Sequence, residues 1–391
     1  MSQRLIGLNP DLEKLRNEGY DLAIRGGFLV ILDVPHVTSN GGIARGTLIS
    51  ALKLSGERTD KPDTHVCYWQ GEMPCHSSGQ PIRAIENPSA RQNLGHGLTN
   101  VLTFSAKADY RDYHHKMTTY LGRIVGEAQK LKPAVTAQIF PVFPIDDEAE
   151  SVFKYVDTAS SRAGIGALNE KFATQRIAIV GLGGTGSYIL DLVAKTQARE
   201  IHLFDGDQFS SHNAFRSPGA ASLDTLRGKP TKVDYLTQMY EVMRRGVHPH
   251  PEYITAANVE HLRGFDFVFL CIDGGTVKAD IIAALDAFGI TFIDVGLGVT
   301  RGDNGLSGLL RVTTSTPTTR EQARRRIPVG EDDGQDNEYK TNVQIAELNA
   351  LNATLAVIRW KKLAGFYRDS GREQNTSYAI APNALVGEDM A

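Results

Sequence analysis

Residues 176–187 read RIAIVGLGGTGS, a β-branched run that meets four glycines within six residues and continues into a helix-forming segment. This is a strand, a tight turn and a helix start in one stretch. Glycine lets the backbone approach a phosphate closely, and the unpaired N–H groups of the following helix face that phosphate with the positive end of the helix dipole. A parallel α/β sheet is the architecture that places such a turn at the carboxyl end of a strand. Gly181, Gly183 and Gly186 satisfy the dinucleotide fingerprint, Gly184 adds a further small residue, and Asp205 lies where an acidic residue would grip a ribose hydroxyl. On the loop alone, an NAD(P)-dependent oxidoreductase is the first reading.

The texture of the chain supports two regions. Residues 1–150 mix short extended runs (GFLVILDV, THVCYW) with Gly/Ser/Asn-rich turns, and carry one amphipathic segment, DYHHKMTTYLGRIVGEAQKL, closed by Pro133. The acidic DDEAE turn at 146–150 is the expected boundary. Residues 151–391 alternate apolar strands with helices: RIAIV, IHLF, DFVFLCID, TFIDV and GLSGLLRVT, with helices expected through 187–196, KVDYLTQMYEVMRR and KADIIAALDAFG. Continuous apolar strands between amphipathic helices imply a doubly wound, mostly parallel sheet. A polar loop is expected over 313–341, followed by a helix, NVQIAELNALNATLAVIRWKKL, with Ile345, Leu348, Leu351, Leu355 and Ile358 at helical spacing.

Charge and composition narrow the partners. The 391 residues carry a net charge of −3, so no basic surface advertises nucleic acid or an anionic membrane. No apolar run is long enough to cross a bilayer, the N-terminus lacks a signal-peptide core, and three cysteines make no disulfide framework. A cytoplasmic location is expected.

Four features beyond the loop favour a triphosphate over a dinucleotide. Asp205 and Asp207 close the strand IHLFDGD, and SSHNAFR then supplies Asn213 and Arg216. Arginine is the preferred bidentate partner of phosphate oxygens. GKPTKVD puts Lys229 and Lys232 at the start of the next helix. Asp273 ends the strand FLCID, and a carboxylate at a sheet's carboxyl edge suits Mg²⁺. Each has a plainer reading: Asp207 and Asn213 as turn caps, the lysines as solvated helix residues, Asp273 as a turn residue.

Taken together, these residues resemble the E1-like adenylyltransferases, the ThiF/MoeB/ubiquitin-activating superfamily. The shared pattern is the G-x-G-G-x-G-S loop, D-x-D, N-x-x-R, a lysine near G-x-P-x-K and an Asp after an apolar strand, over about residues 160–365. The resemblance implies a Rossmann-like ATP-binding fold that uses Mg-ATP to adenylate the C-terminal carboxylate of a ubiquitin-like or sulfur-carrier protein. It implies that Gly181, Gly183, Gly184 and Gly186 form the nucleotide loop and that Asp205 holds the ribose. Asn213, Arg216 and Lys232 would hold the phosphates, and Asp273 the Mg²⁺. Arg162, in SSRAGIGAL, is the candidate for an arginine supplied from just before the first strand, sometimes across a dimer; its plainer reading is a surface residue of a linker helix. A homodimer, an E2-like partner and a non-catalytic adaptor role are further implications of the same family. Residues 1–150 resemble a domain fused ahead of ThiF-like domains in bacteria, which suggests a module recruiting the carrier or a downstream partner.

The chain departs from that pattern in three places. The lysine motif, G-K-P-T-K, has an extra residue, so the ATP lysine is Lys229 or Lys232. Residues 313–341 hold no cysteine, and the paired CxxC zinc motifs of the superfamily are absent. An acyl-adenylate without a thioester on this chain is therefore expected. The alternatives are a hydroxyl among Thr313, Thr314, Ser315, Thr316, Thr318 and Thr319, or a thiol, Cys67 or Cys75. His65, Cys67, Glu72, Cys75 and His76 are zinc-ligand types, but C-x₇-C is not a usual zinc spacing.

Overall fold

The protein, described from a computed structural model over residues 2–145, 148, 151–273, 275–329 and 343–390, divides into two compact units. The first comprises Met1–Glu150 with Tyr155–Gly164, and the second Ser151–Lys154 with Ile165–Ala391.

The first unit is built on an antiparallel sheet of order β1-β2-β3-β6-β7, from β1 (Leu22–Arg25), β2 (Phe28–Val37), β3 (Ile43–Ala51), β6 (Val66–Gln70) and β7 (Leu102–Ser105). A two-residue ribbon, β4 (Leu54–Ser55) with β5 (Arg58–Thr59), lies between β3 and β6 in the chain. The register of β2 on β3 shifts between Ile31 and Val34, where Asp33 adopts φ 56°. The helix Tyr113–Leu131 starts at Asp112, whose carboxylate accepts from His115 N, and its buried stripe of Met117, Tyr120, Leu121 and Ile124 joins the same core as Trp69 and Phe104. Each such side chain removed from water contributes roughly 1.5–3 kcal/mol.

The second unit holds an eight-stranded sheet of order β10-β9-β8-β11-β12-β13-β14-β15. Its strands are β8 (Arg176–Val180), β9 (Glu200–Phe204), β10 (Val247–His250), β11 (Phe267–Leu270), β12 (Thr291–Gly302), β13 (Gly305–Ser315), β14 (Glu373–Ala379) and β15 (Ala384–Met390). The run from β10 to β12 is parallel, and β12 to β15 is antiparallel. Both faces are covered, so β8 is apolar and buried from Ile177 to Val180. Ile177 and Ile179 pack with Leu190, Leu236 and Trp360 on one face, while Ala178 and Val180 pack with Ile281 and Leu285 on the other. This is the doubly wound, Rossmann-like α/β fold that the strand–helix alternation implies.

Two expectations are corrected, and the sheet gains a hairpin. The segment taken as a polar loop from 313 is structured at its start: Thr313, Thr314 and Ser315 are buried in β13, and Arg320–Arg326 is helical, while residues 330–342 lie outside the described residues. The hairpin of β14 and β15, polar in sequence, extends the sheet. The late helix, Ala346–Leu363, turns Asn349, Asn352, Ala353, Ala356 and Trp360 inward, leaving Leu348, Leu351 and Leu355 partly buried and Ile358 exposed. Its neighbour on the inward side is Gly184, where an added Cβ would sit 2.2 Å from the Asn349 amide. Small and amide residues permit that close approach; leucines do not. Among the described residues, no helix is long and apolar enough to cross a membrane.

Candidate nucleotide site

The glycine loop leaves β8 and enters the helix Gly184–Ala194 with Gly183 at its N-cap. Gly181 has φ 92°, and a Cβ there would meet the Cys271 carbonyl at 2.6 Å. A Cβ on Gly186 would stand 1.9 Å from the Gly181 carbonyl oxygen, so the loop folds on itself only with glycine at both places. Gly183 differs from these: nothing lies within 4 Å of its added Cβ. Its backbone borders open space, as a phosphate cradle requires.

Asp205 follows β9 and is 6 % exposed. Its Oδ2 accepts from Leu182 N at 2.6 Å and its Oδ1 from Asp207 N at 2.9 Å, so the carboxylate braces the loop from behind. Lys232 Nζ stands 2.6 Å from Asp207 Oδ2 and 3.3 Å from Asp205 Oδ2. Burial pushes the Asp207 carboxyl up, but the hydrogen bonds from Lys232 and the Tyr253 hydroxyl outweigh it, and the net shift is downward. Lys229 and Lys232 differ in placement. Thr231 caps the helix Lys232–Glu241 and Lys232 N bonds to Asp207 O, which turns Lys232 inward. Lys229 is exposed, in a left-handed turn at φ 47°.

The short helix Ser211–Ala214 carries Asn213, whose Oδ1 accepts from Ser210 N at 2.9 Å. Its Nδ2 is buried with no protein partner, and so is Nε of Arg216. A buried donor without an acceptor costs about 1–3 kcal/mol, so two of them close together in the chain mark a place where a ligand supplies acceptors. Arg216 faces a cleft whose walls also include Gly183, Gly184, Thr185, Ile272, Asp273, Val295 and Gln344. Asp273 lies at its mouth, accessible to solvent yet partly desolvated by the walls. That desolvation raises its carboxyl above the usual range, against the opposing pull of Lys278, Arg216 and Lys232.

Several parts of this arrangement carry no sequence motif. Beneath Asp273, Lys278 donates to the Ile272 carbonyl at 3.2 Å and pairs with the fully buried Asp294 at 2.5 Å, which also receives Arg311 at 2.6 Å. Asn349 accepts from Thr185 Oγ1 at 2.9 Å and ties the late helix to the loop. Tyr253 reaches Asp207 from a segment after β10. Only the register of Lys278 in FLCIDGGTVK, five residues past Asp273, hinted at the first of these.

Other candidates lie in the first unit or inside the second unit's sheet. Arg162 belongs to the first unit, in the helix Thr158–Ala163, with its guanidinium 4.9 Å from the Phe140 ring centroid. Cys67 is fully buried and its thiol is pushed up to about 12 by that burial; Cys75 is 1 % exposed and also raised by burial. Neither fits a nucleophile. Thr313, Thr314 and Ser315 are equally buried, with Thr313 donating to Asn375, so these hydroxyls lie in the sheet interior. His76 pairs with Glu127 at 3.2 Å, and Trp69 donates to the Glu72 carbonyl.

Residues 159–375 match the ThiF family, and residues 10–158 match a domain of unknown function, DUF6791. Ubiquitin-like modifier-activating enzyme 5 of Gallus gallus is 26% identical over 165 residues, covering 39% of this chain and 41% of that protein. The same enzyme of Branchiostoma floridae is 27% identical over 167 residues, covering 39% and 40%. The chain thus spans about two fifths of the length of these curated relatives. Among solved structures, PaaA superposes with a TM-score of 0.43 at 19% identity, covering 57% of this chain and 76% of that one. E. coli MccB with MccA-N7isoASN gives 0.46 at 13%, covering 60% and 70%.

Proposed function

Because the chain belongs to the ThiF family of E1-like adenylyltransferases, we propose that its second unit binds Mg-ATP and adenylates the C-terminal carboxylate of a ubiquitin-like or sulfur-carrier protein. The observation that carries this reading is the cleft itself. Gly183, which borders open space, lines it together with Asp273 and Arg216, whose Nε is buried and unpartnered. A dinucleotide needs neither an arginine nor a second carboxylate there.

The residues fit the group they would hold. The loop N–H groups, Asn213 Nδ2 and Arg216 supply donors for phosphate oxygens, and Asp273 supplies the hard oxygen ligand Mg²⁺ prefers. Lys232, held by Asp205 and Asp207, places a positive charge beside the strand ends. Mg²⁺ would neutralise charge on the phosphates. The attacking carboxylate is already ionised, so the chain needs no general base. A carboxylate oxygen bonds to the α-phosphorus, and the bond to the bridging oxygen breaks with its electron pair leaving on pyrophosphate. Arg216 and Lys232 lower the repulsion between the anions.

The acyl-adenylate passes to another protein without a thioester on this chain, a reading supported by the burial of Cys67 and Cys75. Residues 1–150 recruit the carrier or an E2-like partner. The enzyme works as a cytoplasmic homodimer, for which the partly exposed Leu348, Leu351 and Ile358 stripe offers an apolar face.

The test is melting temperature with Mg-ATP and with NAD(P), for the native chain and Asp273→Asn. Ligand at 100 times its Kd adds about 2.7 kcal/mol to the stability. The expected result is a Mg-ATP shift that Asp273→Asn loses without any change in the unliganded melt, followed by carrier-dependent pyrophosphate release. A shift with NAD(P) and none with ATP sinks the adenylation reading and restores the dehydrogenase.

A further inference from the structure

We propose that Glu200, His202 and His248 form a site for one divalent transition ion of the zinc class, with His250 as the partner that orients His202. Its ligands come from two strands, 46 residues apart (202 to 248), and match no contiguous motif. The parallel register of β9 on β10 brings them together. Glu200 and His202 alternate onto one face of β9, and His248 is the direct cross-strand neighbour of His202.

The distances are those of a ligand set. One donor atom from each of the three residues lies within 4.8 Å of the others. His202 Nε2 stands 3.3 Å from Glu200 Oε2. Two ligands on a tetrahedral ion with bonds of about 2.0–2.1 Å stand about 3.3 Å apart. The His202 and His248 rings lie with centroids 4.5 Å apart at 34°. His202 Nδ1 lies 2.9 Å from His250 Nε2. With Nε2 on the ion, Nδ1 carries the proton and donates to His250, the outer partner that metal-bound imidazoles regularly have. His248 is exposed, so an ion has a path in and a fourth position for water.

Arg176 Nε lies 2.6 Å from Glu200 Oε2 and Arg199 Nη2 3.2 Å from Oε1. These arginines fix the carboxylate and also compete with the ion, so they weaken the site relative to one without them. Two imidazoles and a carboxylate select Zn²⁺, Co²⁺ or Ni²⁺ over Mg²⁺ or Ca²⁺.

The site's place in the fold gives it a purpose. β10 is the sheet's edge strand, and an ion bridging it to β9 clamps that edge. The clamp lies about 10 Å along β9 from Asp205, whose N–H donates to the His250 carbonyl. Metal binding therefore stiffens the strand end that carries Asp205 and Asp207.

The test uses the full chain, free of any affinity tag and stripped with chelator. Titration with Co²⁺ is followed by visible absorption, and Zn²⁺ by calorimetry and melting temperature. One equivalent is expected, with low-symmetry Co²⁺ bands and a rise in melting temperature. His248→Ala, at an exposed position, should keep the metal-free melt and weaken binding more than tenfold. His250→Ala should keep the stoichiometry and weaken binding about 10–100-fold. Cys67→Ala with Cys75→Ala should leave metal binding unchanged. Absence of saturable binding by the native chain, or binding that survives His202→Ala with His248→Ala, overturns the site.

Discussion

The two units bury the same chemical types and use them differently. In the first unit, Lys116 is fully buried in the apolar core, donating to Ser50 Oγ at 2.9 Å, beside the fully buried Cys67. In the second, Lys232 is nearly as buried but lies between two carboxylates, Asp205 and Asp207, at the ends of parallel strands. An ammonium in a core is a cost the fold tolerates. An ammonium at the carboxyl edge of a parallel sheet, next to a cleft with unpaired donors, is positioned for a ligand. Position in the topology, not residue type, separates the two.

The largest effect that would sharpen this contrast is expected from glycine. Gly186→Ala drives a methyl into the Gly181 carbonyl and should abolish nucleotide binding and destabilise the second unit by about 4 kcal/mol or more, read by urea unfolding. Gly122→Ala, in the helix Tyr113–Leu131 with open space around its Cβ, should instead stabilise the first unit by roughly 0.5–1 kcal/mol. Equal losses at the two positions would break the comparison.

The lysines give the next test. Lys232→Met leaves Asp205 buried without its cation, so a loss of about 3–5 kcal/mol and of any Mg-ATP shift is expected. Lys116→Met should be neutral or stabilising, since methionine fills the same volume without a charge. A strongly destabilised Lys116→Met protein would mean that the first unit's lysine also holds a structural charge network.

The smallest expected effect is an acid one, confined to the first unit. The hydrogen bond from Lys130, then those from Ser77 N and His76, lower the Glu127 carboxyl from 4.5 to about 2. A lowered carboxyl contributes stability that is present above the unfolded value and lost as pH falls through the folded one. Glu127→Gln should therefore cost about 2 kcal/mol at pH 7, less than the full shift implies because Lys130 is exposed, and little near pH 2. A difference between native and variant that persists unchanged to pH 2 would rule out this carboxylate as the titrating group.

Much of the candidate site was legible because its residues follow strand ends in order. Gly181 to Gly186, Asp205, Asp207, Asn213, Arg216 and Asp273 lie just past β8, β9 or β11, where a parallel sheet gathers its connections. Lys229 and Lys232 were not separable, since the choice depends on Thr231 capping the helix and Asp207 O accepting Lys232 N. The apolar stripe of the late helix misled, because Gly184 opposite Asn349 favours small residues inside over leucine.

By itself, then, the order of residues determined the alternation of strand and helix and the chemistry at each strand end. These are local: a period of two or 3.6 residues, a turn only glycine can make, a capped helix start. The tertiary structure alone decided the partnerships that span the chain. Lys278 met Asp294 and Arg311, Thr185 met Asn349, and His202 met His248. Each is set by strand register and packing between distant segments, which no window of sequence contains.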